Sequence, residues 1–573
     1  MTNEELAAVF ERIANLLEIK GENIYRVLSY RRVAESLRTL GQEASVLRAQ
    51  GRLHEIPGVG KAIAEKIEEL LDTGELGFLK RLEAEVPPSL IDLLQIPDVG
   101  PKRAALFWKQ AGITTLEALE EAARAGRLRH LPGMGEKSEA RILEGIEALR
   151  RRSHRLPLGV ARPMALRWLD WLHQQPVVVR AELAGSLRRW RPTVGDLDLV
   201  AASYQPEALM DAFVHHPEVY RIVAQGENKA SIETKSGTRL QLWCQPPEKF
   251  GSLWQYATGS KDHNVRLRGL AQKRGLSLSE HGLSDEEGHE THYATEEDLY
   301  QALGLPWIPP ELREDRGEIE AALNGTLPPL LQREDLRAEL HTHSTWSDGA
   351  ATMEEMIAAA YQRGLRVIAI TDHSAGLGIA NGLTPERLHQ QRAEIDTLRQ
   401  RWGDKIVILQ GAEVEIRADG HLDYPDEVLA ELDIVIASLH VSLRQPRAEV
   451  TQRLLNAIRN PHVDIIGHPS GRLLPNRDGA DLDWEAVLVT AQQHGVALEI
   501  NANPARLDLD DVYARRAAEL GIPLALNTDA HTPTDFDLIE YGIGIARRAW
   551  VEPSHIINTW SPERLLAWLR ARG

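Results

Sequence analysis

A chain of 573 residues is too long for a single hydrophobic core and predicts about three or four domains. Cys244 is the one cysteine, which excludes disulfides and thiolate metal sites within the chain, and no apolar stretch approaches the length of a membrane span. The formal charge of −18 argues superficially against a nucleic-acid partner, but charge is unevenly spread: ten arginines between Arg150 and Arg191 face only Asp170 and Glu182, and Lys261 to Arg274 adds five basic residues against Asp262. These two basic blocks favour binding of a phosphate backbone. The amphipathic, acidic start MTNEELAAVFERIANLL is unlike a signal peptide, so a cytoplasmic protein is expected.

Residues 1–150 read as short helices, with apolar residues at helical spacing broken by Pro-Gly and Gly-x-Gly turns. One pattern occurs three times: Ile56-Pro57-Gly58-Val59-Gly60, Ile96-Pro97-Asp98-Val99-Gly100 and Leu131-Pro132-Gly133-Met134-Gly135. Each leads into a helix with a basic residue near its start, Lys61, Lys102 and Lys137. Such a turn offers free backbone N–H groups at a helix N-terminus, a phosphate site that needs no particular base. The repeats resemble helix-hairpin-helix motifs, with Asp98 in place of the first glycine in the second copy, where a carboxylate repels phosphate. From residue 151 to 310, VVVRAELAG, DLDLVAAS and RLQLWC read as strands and LRGLAQKRG as a helix. Residues 316–335 read as a linker long enough to permit domain rearrangement. From Leu336 onward the apolar strands RVIAI, KIVIL, DIVIAS, VDIIG, VALEI and PLALN alternate with helices, which implies a parallel α/β barrel with its active site at the C-terminal strand ends.

Two stretches carry chemistry. In the first, Gly185-Ser186-Leu187-Arg188-Arg189 precedes Gly195-Asp196-Leu197-Asp198. Aspartates at i and i+2 on a strand point to one face, where they can hold Mg²⁺, and the Gly-Ser turn supplies donors for a nucleotide's phosphates. Phosphoryl transfer needs mainly this positioning and charge neutralisation. In the second, the predicted barrel strands end on His341, His343, Asp348, His373, Glu413, His440, His468, Asp529 and His531. Nitrogen and oxygen ligands without thiolates suit Zn²⁺ or Mn²⁺, and a bridging carboxylate suits a multinuclear site that activates water and neutralises phosphate charge. Asp372 and Glu415 read as carboxylates beside the ligands rather than ligands themselves.

The barrel pattern resembles the polymerase and histidinol phosphatase (PHP) family from Leu336 to about residue 545. That resemblance implies one ion on His341, His343, Glu413 and Asp529, a second on Glu413, His440 and His468, and a third on Asp348, His373 and His531. Together with Phe250-Gly251, the run Gln255 to Asn264, Arg266 and Arg268, the chain resembles the bacterial DNA polymerase X family, with a nucleotidyl-transferase core similar to that of eukaryotic polymerase β. It implies a multidomain α+β and α/β protein: a helical DNA-end-binding domain (1–80), a second helix-hairpin-helix subdomain (81–150), a palm (151–262), a thumb-like subdomain (263–315), the linker (316–335) and a distorted (β/α)7 PHP barrel (336–573). It further implies gapped, nicked or 3′-end-bearing DNA as partner and a monomeric chain. A deoxynucleoside triphosphate is expected on Gly185, Ser186, Arg189, Gly195, Arg162, Tyr256, Gly259, Asn264 and Arg268. Cofactors implied are Mg²⁺ at Asp196 and Asp198 and up to three Zn²⁺ or Mn²⁺ ions in the barrel.

Lys66 matches a lysine that forms a Schiff base with 5′-deoxyribose phosphate, although Ala62 stands where a supporting lysine belongs; the alternative is a surface lysine paired with a glutamate. Gln241 stands where the resemblance implies a third metal-binding aspartate, with Glu233 on the preceding strand as the nearest substitute, and Ala257 stands where an aromatic is usual. The expected activities are nucleotidyl transfer on gapped DNA, weakened by Gln241, and metal-dependent 3′–5′ trimming by the barrel. Two alternatives stay open, a silent polymerase core that positions DNA for the nuclease and a small-molecule phosphatase.

Overall fold

The computed structural model describes the chain except residues 2, 39, 41–43, 95, 97–98, 152–154, 476 and 572–573, and the side chains of residues 4, 38, 147–151 and 379. It divides into two compact units, Met1–His154 and Arg155–Gly573. Among the described residues no helix is long and apolar enough to cross a membrane.

The first unit is helical. Its core gathers Leu6, Phe10, Val33, Leu90, Phe107 and Ile142, spaced so that one stripe of each helix faces inward. Gly60 and Gly100 occupy the N-caps of the helices Lys61–Thr73 and Pro101–Ala111, and Gly135 precedes Glu136–Arg151. Gly58 and Gly133 take left-handed backbone at φ 85° and 71° in the preceding turns. Pro97 and Asp98 of the second copy lie outside the described residues.

In the second unit a five-stranded sheet runs in the order Arg180–Leu183, Leu197–Ala202, Arg239–Gln245, Lys229–Thr234, Val219–Gln225. The pair Leu197–Ala202 and Arg239–Gln245 is parallel, and the others are antiparallel. The sequence reading did not mark Val219–Gln225, whose register against Lys229–Thr234 is broken by irregularities. The helix Lys261–Gln272 overlaps the expected LRGLAQKRG but begins earlier and ends at Gln272, and the helices Leu158–His173 and Phe250–Thr258 were not marked in the sequence. A small antiparallel sheet, Ser277–Ser279, Gly282–Ser284 and Glu290–Thr291, completes this half.

Seven parallel strands then form the barrel in sequential order: Ala338–Glu339, Val367–Ile370, Val407–Glu415, Ile434–Ser438, Ile465–Gly467, Ala497–Asn501 and Leu524–Asn527. A parallel bridge between Thr342 and Ala530 joins the chain beyond the first strand to that beyond the last, so the sheet nearly closes. The strands are buried on both faces, which explains why they read as continuous apolar runs rather than alternations.

The segment 316–335 is not an extended connector. It contains the helix Glu318–Asn324, Leu331 is fully buried, and Arg316 Nη1 donates to Asp511 Oδ2 of the barrel half at 2.8 Å. Buried ion pairs and apolar contacts of this kind hold a segment in one place. Trp190, which follows the Gly-Ser turn, packs on the barrel helix Ile539–Arg548: a Cβ on Gly544 would meet its ring at 2.5 Å. Glycine is required there because two elements touch with no room for a side chain.

Candidate metal centre and nucleotidyl-transfer site

The barrel's strand ends deliver the nine expected residues to one rim. Glu413, inside the strand Val407–Glu415, is at the centre. Its Oε2 lies 3.3 Å from His341 Nε2, 3.6 Å from His343 Nε2 and 3.0 Å from His373 Nδ1, while its Oε1 lies 3.3 Å from His440 Nε2 and 2.8 Å from His468 Nε2. Asp529 Oδ1 stands 3.0 Å from His343 Nε2 and 3.6 Å from His341 Nε2. Asp348 lies 3.5 Å from His373 and 3.4 Å from His531. Ligand-type atoms converge in three groups: His341, His343, Glu413 and Asp529; His343, Asp348, His373 and His531; and His373, Glu413 and His440. His343 and His373 are thus shared between groups, which the strand-by-strand reading did not anticipate. His468 meets the cluster through its contact with Glu413.

A cation fits this centre on physical grounds. His341 Nε2, both ring nitrogens of His343, His373 Nδ1 and Glu413 Oε2 are buried without a hydrogen-bond partner, and such atoms are costly unless a metal completes them. The charges are tightly coupled. Burial alone would push His341 down, but Glu499, Asp529 and Glu413 hold it well above its ordinary range. Burial and neighbouring His373 push His343 down to about 3. Burial would raise Glu413 and Asp529, yet the surrounding histidines hold both well below the usual carboxylate range.

Carboxylates behind the ligands orient them. Glu499 accepts from His341 Nδ1 at 2.7 Å and from the backbone N–H of His468 at 2.7 Å, while Asn527 Nδ2 donates to it at 2.9 Å. Glu415 accepts from His440 Nδ1 at 2.7 Å. Each fixes the ring so that its other nitrogen faces the cluster. Asp372 is held by Ser344, Ser347 and Gln391 and stays behind the centre. The sequence reading missed Glu499; its signal was a lone carboxylate in the apolar run VALEI. It also missed Arg506, whose Nε lies 3.5 Å from Asp529 Oδ2 and whose Nη1 is buried and unpartnered. Arg472 donates to the Arg506 carbonyl at 2.7 Å.

The nucleotidyl-transfer residues gather on the five-stranded sheet. Gly185 adopts φ 59°, and a Cβ there would lie 2.0 Å from Asp198 Oδ2, so only glycine lets the turn press on the aspartate. Burial and then Asp196 push Asp198 up to about 7, against the pull of Arg189 and Lys229. Gln241 faces Asp198 across the parallel pair and donates from Nε2 to Asp196 Oδ2 at 3.1 Å. Glu233 does not substitute for a carboxylate there: it is buried and accepts from Arg221 Nη2 at 3.0 Å. Asn264 is tied down by Gln255 Nε2 and by the Tyr256 carbonyl, each at 2.8 Å, and the Tyr256 ring stands edge-on to Trp243. Ser186 sits half-buried on the short helix Gly185–Arg188, and Gly195 beside Arg155. Gly259 lies against Arg189, and Arg268 is half-buried on the helix Lys261–Gln272.

Two expected triphosphate contacts are placed differently. Arg189 donates from Nε to Glu314 at 3.0 Å and from Nη1 to the Thr258 carbonyl. Arg162 stacks 4.0 Å over the Trp190 ring, towards Tyr541 and Glu540 of the barrel half. The basic block from Arg150 to Arg191 is corrected with them. Arg188 is paired with Glu296, and Glu314 lies near both Arg189 and Arg191, so the charge of these three arginines is largely met internally. For Arg188 and Arg189, counting charge along the chain missed carboxylates that lie more than a hundred residues away in sequence. Residues 152–154 of that block lie outside the described residues.

In the helical unit the first two hairpin helices have no acidic residue in their first turn, whereas the third carries Glu136 and Glu139. The first N-terminus therefore suits phosphate better than the third, while the second keeps the handicap of Asp98 in its sequence. Lys61 and Lys102 stand at the starts of those two helices, and Lys137 follows Glu136 in the third. Lys66 is half-buried, donates to the Ala62 carbonyl at 2.9 Å and lies 5.3 Å from the Phe78 ring centroid. No glutamate pairs with it in these contacts.

Comparison with known proteins follows this division. Residues 1–76 match a helix-hairpin-helix domain, 90–148 a SAM-like helix-hairpin-helix tandem, 253–314 the DNA polymerase beta thumb and 339–503 the PHP domain. The DNA polymerase/3'-5' exonuclease PolX of Bacillus subtilis (strain 168) is 38% identical over 573 residues, covering 100% of both chains. A probable phosphatase of Thermoanaerobacter sp. (strain X514) is 32% identical over 240 residues, 39% of this chain and 89% of its own. A probable phosphatase of Shewanella oneidensis is 32% identical over 245 residues, 41% of this chain and 92% of its own. Full-length similarity, the order of the matched domains and the two sites on one chain lead to one conclusion: the chain belongs to the bacterial DNA polymerase X family.

Proposed function

We propose that this chain is a monomeric, cytoplasmic DNA-repair enzyme that inserts deoxynucleotides into gapped DNA and trims 3′ ends with its barrel. The observation that carries the reading is the set of buried, unpartnered ligand atoms around Glu413, on the same chain as the Asp196–Asp198 pair.

In the barrel, His341, His343, Glu413 and Asp529 would hold one Mn²⁺ or Zn²⁺ ion, Glu413, His440 and His468 a second, and Asp348, His373 and His531 a third. When bound, the ions supply Lewis acidity towards water and the phosphate oxygens. Glu499 and Glu415 keep the His341 and His440 rings turned to the cluster. Arg506 presents its unpartnered Nη1 beside Asp529, where the scissile phosphate's oxygens need a donor. In the sheet, Asp196 and Asp198 would hold Mg²⁺ with the triphosphate, and Gly185 and Ser186 bring backbone donors to its phosphates. The hairpins, the first foremost, bind the DNA backbone without regard to sequence.

The test is substitution of the barrel ligands. His341→Ala and Asp529→Ala abolish Mn²⁺-dependent 3′ to 5′ degradation while retaining DNA binding; unchanged digestion by either variant sinks the reading. A second reading, a polymerase core that only positions DNA, is favoured by the Gln241 amide on Asp196. Extension of a one-nucleotide gap by the natural chain refutes it, and extension by Gln241→Asp alone supports it. A small-molecule phosphatase needs no hairpins, and hydrolysis of a small phosphomonoester by the full chain with no cleavage of DNA 3′ ends would favour that third case.

A further inference from the structure

Beside the metal centre the barrel buries a cation, Arg453, on the helix Arg447–Arg459. A guanidinium has five N–H groups, and this one meets five oxygens, none of them a carboxylate. Its Nε donates to the Arg417 carbonyl at 2.9 Å, and its Nη1 to the Ser442 carbonyl at 3.1 Å and to Gln445 Oε1 at 2.6 Å. Its Nη2 donates to the Ile416 and Val441 carbonyls at 2.7 and 3.1 Å. A buried charge answered only by neutral oxygens is costly, so its place is explained by the geometry it holds.

The five acceptors belong to two segments of chain. Ile416 and Arg417 leave the strand Val407–Glu415, which carries Glu413 and Glu415. Val441, Ser442 and Gln445 leave His440, which follows the strand Ile434–Ser438. The last paired residues of these two strands are Glu415 and Ser438, so the ladder stops before His440, and Arg453 bridges the chains beyond it. Glu415 lies between the guanidinium and the centre: it orients the His440 ring and accepts from the backbone N–H of His440 and Val441 at 3.2 and 3.3 Å. Of the carboxylates whose charge favours the buried guanidinium, Glu415 comes first and Asp419 second. The held segments are not relaxed by themselves. Ser442 adopts left-handed backbone at φ 56° without being glycine. A Cβ on Gly420 would meet Asn456 Nδ2 at 2.9 Å, so the turn after Arg417 presses on the helix that carries Arg453.

We propose that Arg453 is a positioning residue for the ion of Glu413, His440 and His468, its guanidinium tying the segment that leaves Glu415 to the segment that leaves His440. This rests on the reading of the barrel as a metal centre. Glu413 Oε1 stands 3.3 Å from His440 Nε2, and a pair of ligand atoms tolerates only a few tenths of an ångström of change in such a span. Glu413 is fixed by its strand, whereas His440 follows the end of its own. Arg453 supplies the missing constraint by gripping the carbonyl next to Glu415 and the carbonyl next to His440 with one nitrogen. A planar fork can hold both chains at once, which the single ammonium of a lysine cannot.

The experiment follows Mn²⁺ uptake by the full chain with electron paramagnetic resonance, in an Asp196→Asn/Asp198→Asn background so that uptake reports the barrel. Arg453→Met weakens one barrel ion about 10- to 100-fold and leaves the others unchanged. In His440→Ala the same substitution alters none of the remaining ions. Arg453→Lys keeps the charge but cannot span both segments, and shows the same loss. In the metal-free chain, hydrogen exchange across 416–421 and 440–445 quickens in Arg453→Met while the circular dichroism is kept. Should Arg453→Met fail to fold, Gln445→Ala, which takes one acceptor from the fork, weakens the same ion by a smaller factor. Equal weakening of every ion, full recovery by Arg453→Lys, or unchanged uptake by whichever of Arg453→Met and Gln445→Ala is folded overturns the proposal alone. Absence of Mn²⁺ uptake by the background chain overturns the metal-centre reading and the proposal with it.

Discussion

Glu499 touches no cation-facing nitrogen, yet it holds the His341 ring, the His468 backbone and Asn527 together. Glu499→Gln replaces one accepting oxygen by a donor and frees the His341 ring to rotate. We expect a loss of about 10- to 100-fold in Mn²⁺ affinity or trimming activity, read from the Mn²⁺ activation curve, with the circular dichroism unchanged. Gly185→Ala is the matching test in the other site. The added Cβ meets Asp198 at 2.0 Å in a left-handed backbone, so gap extension is lost while 3′ trimming persists. Retained extension would show that the Gly-Ser turn does not need to press on Asp198. The residues that converge around Glu413 were legible in the sequence because they lie at the ends of apolar runs. Glu499 was not, because a single glutamate inside such a run gives no sign of which ring it holds.

At the scale of elements, the polymerase half and the barrel are joined by buried charge. Glu314 accepts from Arg189 Nε at 3.0 Å and from Arg548 Nη1 at 2.8 Å; Arg548 and Arg316 both reach Asp511, at 3.0 and 2.8 Å. Replacing Glu314 by Gln leaves two buried guanidinium groups short of a partner and costs about 3–5 kcal/mol, measurable as a shift in denaturation midpoint. The network also sets an acid limit. Burial would raise Glu314 and Asp511, but the arginines, Arg548 foremost, hold both below the usual carboxylate range. Because the folded values are depressed, their contribution is complete above the unfolded carboxylate range near pH 4 and is lost as pH falls below it towards the folded values. Stability measured from pH 7 down to 3 should therefore fall less steeply in Glu314→Gln than in the natural chain. A linker was the natural reading of 316–335 from its composition, since nothing in RGEIEAALNGTLPPLLQRED indicates that Arg316 finds Asp511 nearly two hundred residues on.

For the whole molecule, each unit carries its own core, and among the described residues no core cluster includes residues from both units. Residues 155–573 alone are expected to fold and to cleave 3′ ends, but with weaker DNA binding. The logarithm of affinity should also fall less steeply with the logarithm of salt, by about 0.9 for each phosphate that the hairpins would have neutralised. Fluorescence anisotropy across a salt series measures both, and an unchanged slope would remove the hairpins from DNA recognition.

The sequence alone determined the order of the domains, the parallel barrel and the identity of the residues at its strand ends. Those features are local: a strand's apolar run and the residue after it lie within a few positions, and chain order carries them. It determined equally that the pocket of Asp196 and Asp198 lacks a carboxylate at Gln241. Only the tertiary structure decided that His343 and His373 serve two ligand groups, that Glu233 is held by Arg221, and that Arg162 and Arg189 turn towards the barrel joint. Each of these is an electrostatic or stacking contact between residues distant in the chain. A charge's partner is the nearest opposite charge in space, and spatial neighbours across a sheet or between two halves of a unit leave no periodic mark in the sequence.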